Sequence, residues 1–318
     1  MNNFPECLLC KNNHKVEQVT HHETFEGNIY YCHKCDFGFC SPMPNDIILH
    51  NYYTKEYRVK RGNNFSYSYK LKGYKYAWSR YKYLFDFLPK HKDSISVLDI
   101  GCSFAPLLEY FHDNGAVVYG TESNIQAIKN TSPNIANRTK QEFDFYQEYS
   151  GKRFDVIVLS HVLEHFNNLE NLAKCRELLK EDGILFVEVP NEDRTYIDYR
   201  KIRGFGSHLM WFSHRALKRL GKKFGLEIVP NSVKTYNTKK GFIDFLPQNH
   251  PLKIKYQKEW KKKEWGDSFE PNLLFRFIPT RVACRFLSSK IYAKMFHVNF
   301  FSSSELGAII RIIYRVPK

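Results

Sequence analysis

The sequence predicts an α/β protein: an open, largely parallel sheet crossed by helices, preceded by a small cysteine-bearing module and interrupted near its end by a basic excursion. Three observations carry that expectation. Two C-x-x-C pairs stand close together near the start of the chain. Apolar runs of strand length alternate with stretches of helical spacing from residue 96 onward. Positive charge crowds into the last third.

With 318 residues, 43% of them hydrophobic and 16% aromatic, the chain can bury a full catalytic core and carry an added module, which excludes a disordered chain. The net charge of +15 is unevenly placed. From residue 200 onward there are 25 Lys/Arg against 7 Asp/Glu, whereas residues 1–199 hold 23 against 26. Such a field favours anionic partners: a nucleotide sugar, a phosphorylated glycan, nucleic acid or an acidic membrane surface. No start resembles a signal peptide and no apolar run approaches the roughly 20 residues that span a bilayer. The expectation is therefore a cytoplasmic protein, with peripheral contact the one membrane association left open. In that compartment eight cysteines read as metal ligands or reduced thiols rather than a disulfide framework.

Residues 1–45 contain Cys7, Cys10, Cys32 and Cys35, separated by a Val-, Thr-, Phe-, Ile- and Tyr-bearing stretch that supplies two short strands. Two such knuckles make a zinc ribbon, and four thiolates around a tetrahedral ion leave no open position, so the Zn2+ is expected to be structural. Cys40, His14, His21, His22 and His33 are read as bystanders, and Pro42-Met43-Pro44 closes the module. Residues 46–92 then form an aromatic and basic linker, with Tyr52-Tyr53, Tyr67, Tyr69 and Tyr74-Lys75-Tyr76-Ala77-Trp78. Its rings either stack on a sugar or base, or pack a connecting helix on the core; both readings stand.

The core is placed at 93–236. Ser-Val-Leu-Asp-Ile at 96–100 enters Gly101-Cys102-Ser103-Phe104-Ala105-Pro106, after which Leu107, Leu108 and Phe111 have helical spacing: strand, tight turn, helix. Small residues at that turn let the backbone approach a ligand. A second strand ends at Thr121-Glu122, where an acid can hold both hydroxyls of a ribose. A buried strand at 154–160 follows, then a helix read from His161 to near Leu179, then a strand at 183–191.

With these motifs the chain resembles the class I S-adenosylmethionine methyltransferases, in particular a zinc-ribbon-bearing branch similar to sugar and surface-glycan methyltransferases. The resemblance implies a Rossmann-like seven-stranded sheet with the cofactor S-adenosyl-L-methionine at its edge. Asp99 and Gly101 match the family's D-x-G motif, Glu122 the ribose-binding acid, and Ser160 and His161 the end of the fourth strand, against the cofactor. Cys102, Ser103 and Ser123 complete the cradle, with Glu142 and Phe143 beside the adenine. Where the family usually has further glycines, this chain has Ser103, Ala105 and Pro106.

Methyl transfer needs an in-line acceptor and usually a base for its proton. His161, Glu164, His165, His208 and His214 are the candidate catalytic residues, His208 being the preferred base. The segment from His161 to His165 resembles the E-x-x-E-H element of metal-binding O-methyltransferases with His in the first position. On a helix, His161 and His165 would share a face, so a divalent metal held by Glu164 and two or three histidines is a second expectation. Strands six and seven are placed at 226–236 and 307–316. Between them a basic, mainly helical insertion at 237–305 is read as a lid or acceptor-binding element or as a solvated basic helix, and the last core segment is 306–318. The function expected is O-methylation of a sugar hydroxyl in a nucleotide sugar or phosphorylated surface glycan. Metal-dependent RNA 2'-O-methylation and a non-catalytic zinc-ribbon interaction protein are the alternatives. The ribbon would either recruit glycan-assembly enzymes or brace the fold.

Overall fold

A computed structural model describes residues 4–57, 65, 67–89, 94–142, 144–192, 206–236 and 309–317. The expected insertion at 237–305 and Phe143 lie outside the described residues.

The N-terminal module is a meander of β1 (Val16–His21), β2 (Asn28–Cys32) and β3 (Phe37–Ser41), each antiparallel to the next. Two strands were expected here; the third follows directly from the second knuckle. The chain then enters α1 (Asp46–Asn51), capped by Asn45, whose side chain accepts from Ile48 N at 2.9 Å. It continues through a π turn at Tyr52–Glu56. Next comes α2 (Tyr67–Phe85), with Tyr74, Ala77, Tyr81 and Leu84 buried at helical spacing. The connecting-helix reading of the tyrosine-rich linker thus holds for this stripe, which packs on Phe104, Tyr110 and Phe111.

The main sheet opens with β4 (Ser96–Ile100), α3 (Pro106–Asp113), β5 (Val117–Glu122), α4 (Ile125–Lys129) and β6 (Thr139–Gln141). It continues with α5 (Phe145–Tyr149), β7 (Phe154–Ser160), α6 (Asn171–Glu177) and β8 (Leu179–Pro190). After β8 come β9 (Met210–Phe212), α7 (His214–Lys223), β10 (Glu227–Ile228), β11 (Lys234–Tyr236) and β12 (Ile309–Arg315). The order is β6-β5-β4-β7-β8-β12, with β10 and β11 both paired to the outer side of β12. The first five of these strands are parallel and β12 is antiparallel to β8. The single sixth strand expected at 226–236 is two short pieces. Between them Pro230 lacks an N–H and Asn231 adopts φ +62°, which interrupts the ladder.

The chain moves outward from β4 to β5 and β6, then returns to the opposite side of β4 as β7. This reversal opens a crevice beyond the carboxyl ends of β4 and β7, where open α/β sheets bind ligands. β9 does not join this sheet. It pairs with β3, Phe37 opposite Phe212 and Phe39 opposite Met210, and completes a four-stranded sheet with the N-terminal module. Cys7, Phe37 and Phe39 share one apolar cluster with Leu159, Val187 and Leu217, so module and sheet are built on common packing. No helix among the described residues is long and apolar enough to cross a membrane.

The expected helix from His161 to Leu179 is corrected. His161 takes φ +56°, a left-handed conformation that stops regular structure, and a 3-10 turn at Leu163–His165 follows before α6 begins. His161 and His165 therefore do not share a helical face.

Candidate active site

The four cysteines Cys7, Cys10, Cys32 and Cys35 converge, all Sγ atoms lying within 4.8 Å of one another. Cys10 Sγ and Cys32 Sγ are 3.8 Å apart. That is too long for a disulfide and matches the edge of a tetrahedron with Zn–S near 2.3 Å. Hydrogen bonds with Cys35 and Cys7 pull the Cys32 thiol down, while those with Cys32 and Cys7 push Cys35 up. Four sulfur donors converging in this way form a donor set that fits Zn2+.

The second site is a cavity of about 920 Å³ at the crevice beyond β4 and β7. One end is built by the β4–α3 turn and the end of β5: Asp99, Gly101, Cys102, Ser103, Glu122 and Ser123 line it, and Glu142, Ser160 and His161 continue the wall. The turn is tightly specified. Gly101 adopts φ +70°, and a Cβ there would sit 2.6 Å from Val162 Cγ2. Ser103 and Ala105 also adopt left-handed angles, φ 55° and 57°, so the residues standing in place of glycine keep the backbone path at a strain of roughly 1 kcal/mol each. Pro106 begins α3, where its missing N–H costs nothing. Glu122 clamps the turn: Oε2 accepts from Ser103 N at 2.9 Å and Oε1 from Asn124 N at 2.9 Å. Asp99 is buried at the end of β4, and burial, partly offset by Arg80 and reinforced by Glu122, pushes its carboxyl up to about 7. A close-approach turn, an acid beside it and this volume fit the S-adenosyl-L-methionine site that the family resemblance implies.

The same cavity is lined by tyrosines 53, 57, 69 and 76, with Arg80, Val162, His165 and Phe166. Beneath it lies a charge hub missed in the sequence. Glu188 of β8 is fully buried and takes hydrogen bonds from Arg80 of α2 and Arg311 of β12, with Ser160 Oγ at 3.0 Å. Burial would raise its carboxyl, but the two arginines and His161 hold it well below the usual range. His161 bridges two carboxylates: Nδ1 is 3.2 Å from Glu164 Oε1 and Nε2 is 3.3 Å from Glu188 Oε1. Burial opposes its charge, yet these glutamates push it up to about 9. His161 is thus a clamped imidazolium near neutral pH, poorly suited to accept a proton.

His165 is placed differently. Its Nδ1 lies 2.9 Å from both the Ser207 carbonyl and the Tyr53 hydroxyl, and Tyr53 itself donates to the Ser207 carbonyl at 3.2 Å. A carbonyl can only accept, so Nδ1 carries the proton and the Nε2 lone pair is the basic or ligating position. The His208 ring packs edge-on against His165 with centroids 4.9 Å apart. Glu164, His165 and His208 form a group whose ligating atoms lie within 4.8 Å of one another. Of the five catalytic candidates, His161 and His165 line the cavity, whereas Glu164, His208 and His214 do not. Glu164 Oε2 is buried without a hydrogen-bond partner. Glu192, also unnoticed in the sequence, shares a small void with Glu164 and His208, and burial together with Glu164 pushes it up to about 8. Neither Glu188 nor Glu192 carries a local motif that could have marked it.

Residues 73–231 match a family model described as methyltransferase domain. The ubiquinone biosynthesis O-methyltransferase of Glaesserella parasuis serovar 5 (strain SH0165) is 28% identical over 204 residues, 60% of this chain and 76% of that protein. The mitochondrial ubiquinone biosynthesis O-methyltransferase of Rattus norvegicus is 30% identical over 120 residues, 35% of this chain. That match spans only about a third of the rat protein's length, 34%. A crystal structure of magnesium protoporphyrin IX methyltransferase from Synechocystis PCC 6803 aligns at 15% identity and TM-score 0.46, covering 62% of this chain and 94% of that one.

Proposed function

Because the chain belongs to the methyltransferase-domain family and is an S-adenosylmethionine-dependent methyltransferase, we propose that it O-methylates a hydroxyl of a ring-shaped acceptor, a sugar in a nucleotide sugar or phosphorylated glycan. The observation that carries this reading is that one cavity is lined both by Asp99 and Glu122 and by the tyrosines and His165. Asp99, the Gly101–Ser103 turn and Glu122 would hold the cofactor, which supplies a methyl group on a sulfonium for in-line transfer. The tyrosine rings offer flat faces to an acceptor ring, and His165, protonated on Nδ1, presents Nε2 as the base. Relatives named O-methyltransferases support oxygen as the methylated atom. The sugar rests on the zinc-ribbon resemblance and the basic C-terminal third. Family membership sets aside a non-catalytic interaction protein.

A second reading is favoured by Glu164, His165 and His208. Two imidazoles and a carboxylate with an unsatisfied oxygen fit a divalent transition metal, which would lower the pKa of a coordinated hydroxyl. With such a metal the enzyme would fit RNA 2'-O-methylation as well as a sugar. Mass spectrometry of nucleotide sugars, surface glycans and RNA from cells with and without the gene decides between them. Loss of one methyl from one sugar supports the first reading. Unchanged glycans with loss of a ribose methyl overturn it in favour of the second.

A further inference from the structure

Three consecutive carbonyls fix the segment that carries His208. Ser207 O receives His165 and Tyr53, as described above. Leu209 O accepts from Cys40 N of β3 at 2.9 Å, and Leu209 N in turn donates to Glu164 O at 2.8 Å. Between them, His208 O lies 2.7 Å from Nε2 of His22. The following residues, Met210–Phe212, are the fourth strand of the module's sheet. The segment is therefore a strap, bound along one edge by the cysteine-bearing module and tied at Leu209 to the Glu164 turn.

His22 is a side chain of the module that reaches His208. It sits in the β1–β2 turn, 7% exposed, with Phe25 and Trp211 rings at 5.2 and 6.3 Å. Its Nδ1 accepts from Thr24 N and Phe25 N, both at 3.1 Å. Nδ1 is thus unprotonated, and Nε2–H donates to the His208 carbonyl. Burial lowers the His22 pKa, in keeping with a neutral ring. One imidazole both shapes the turn of the module and holds the backbone of His208, a part-buried bond that is costly to leave unmade.

We infer that His22 is a positioning residue through which the four-cysteine module sets His208 against His165 and Glu164, making the module part of the active-site scaffold. The inference rests on the reading of Glu164, His165 and His208 as the group that carries chemistry.

Two substitutions in the zinc-loaded full chain separate the two jobs of His22. His22→Asn places an amide oxygen where Nδ1 was and keeps the local turn, but falls short of His208 O. His22→Gln places an amide nitrogen near the Nε2 position and keeps the reach. Hydrogen exchange read by mass spectrometry should show residues 206–212 exchanging about 10-fold faster in His22→Asn, with 28–41 protected as in wild type and one zinc retained. His22→Gln should restore protection. Mn2+ titration followed by electron paramagnetic resonance should show affinity lowered roughly 10- to 100-fold in His22→Asn and recovered in His22→Gln. Wild-type exchange at 206–212 in His22→Asn overturns the inference, as does loss of zinc in that variant, which would make His22 a folding residue of the module. A wild-type chain that binds no Mn2+ overturns the metal reading of the cluster alone, and the exchange result still decides His22.

Discussion

Arg80 of α2 and Glu188 of β8 are joined across 108 residues of sequence by an Nε–Oε1 hydrogen bond of 2.7 Å. Arg311 approaches the same carboxylate from β12. This bond pins the linker helix to the floor of the cavity and gives the buried carboxylate two cations, the condition under which a buried charge is tolerated.

Glu188→Gln leaves both arginines short of a buried countercharge, so the variant should lose about 3–5 kcal/mol of stability at pH 7 in urea melts. The pH dependence follows from the lowered native pKa. Stability from such a carboxylate is present above its unfolded pKa of about 4.3 and lost as pH falls through the native value. Wild type should therefore lose stability below pH 4.5 more steeply than Glu188→Gln. Parallel slopes would show that the hub does not hold the carboxylate charged.

Asp99, pushed up to about 7, is only partly ionised at neutral pH. Its raised value means that fold stability declines as pH rises from the unfolded pKa of about 3.9 towards 7. A ligand amino group beside Asp99 would favour the carboxylate instead. Affinity for S-adenosylhomocysteine, measured by calorimetry, should rise between pH 6 and 8 with proton release, and Asp99→Asn should bind more weakly with a flat profile. Equal affinity and slope in the variant would remove Asp99 from the cofactor site.

Gly101→Ala adds a Cβ 2.6 Å from Val162 Cγ2 at φ +70°. Two costs are expected, a clash and roughly 1–2 kcal/mol of left-handed strain. Val162→Ala in the same chain should relieve the first and not the second, so the double variant should melt between the single variant and wild type. Full recovery in the double variant would mean that the backbone carries no strain there.

Chelation of the four-cysteine site should release one zinc per chain, followed by a thiol reporter, and unfold β1 to β3. Because β9 belongs to the same sheet, protection of 210–212 from hydrogen exchange should fall with that of 28–41. Cys35→Ser should do the same without chelator. If 210–212 keeps its protection after zinc loss, the strand is held by the main sheet's packing alone.

The signals legible in the sequence were local ones. C-x-x-C pairs place two thiolates on one turn, Asp99-Ile100-Gly101 couples a strand end to a turn, and Glu122 closes the next strand; each is complete within a few residues. Boundaries resting on periodicity fared less well. The run from His161 looked helical until one left-handed residue redirected it.

What the sequence by itself determined was the alternating sheet, the cysteine quartet and the strand-to-helix turn at Gly101–Pro106, because each depends on neighbouring residues and on burial patterns that recur at periods of 2 and 3.6. Only the tertiary structure decided the charge hub beneath the cavity and the strap that carries His208. No local pattern marks Arg80, Glu188 and Arg311, which three separate elements bring together. Met210-Trp211-Phe212 is too short to announce a strand, and His22 looked like a bystander until its ring met a carbonyl 186 residues away. Contacts between distant segments depend on how elements pack, and no local pattern of residue types records them.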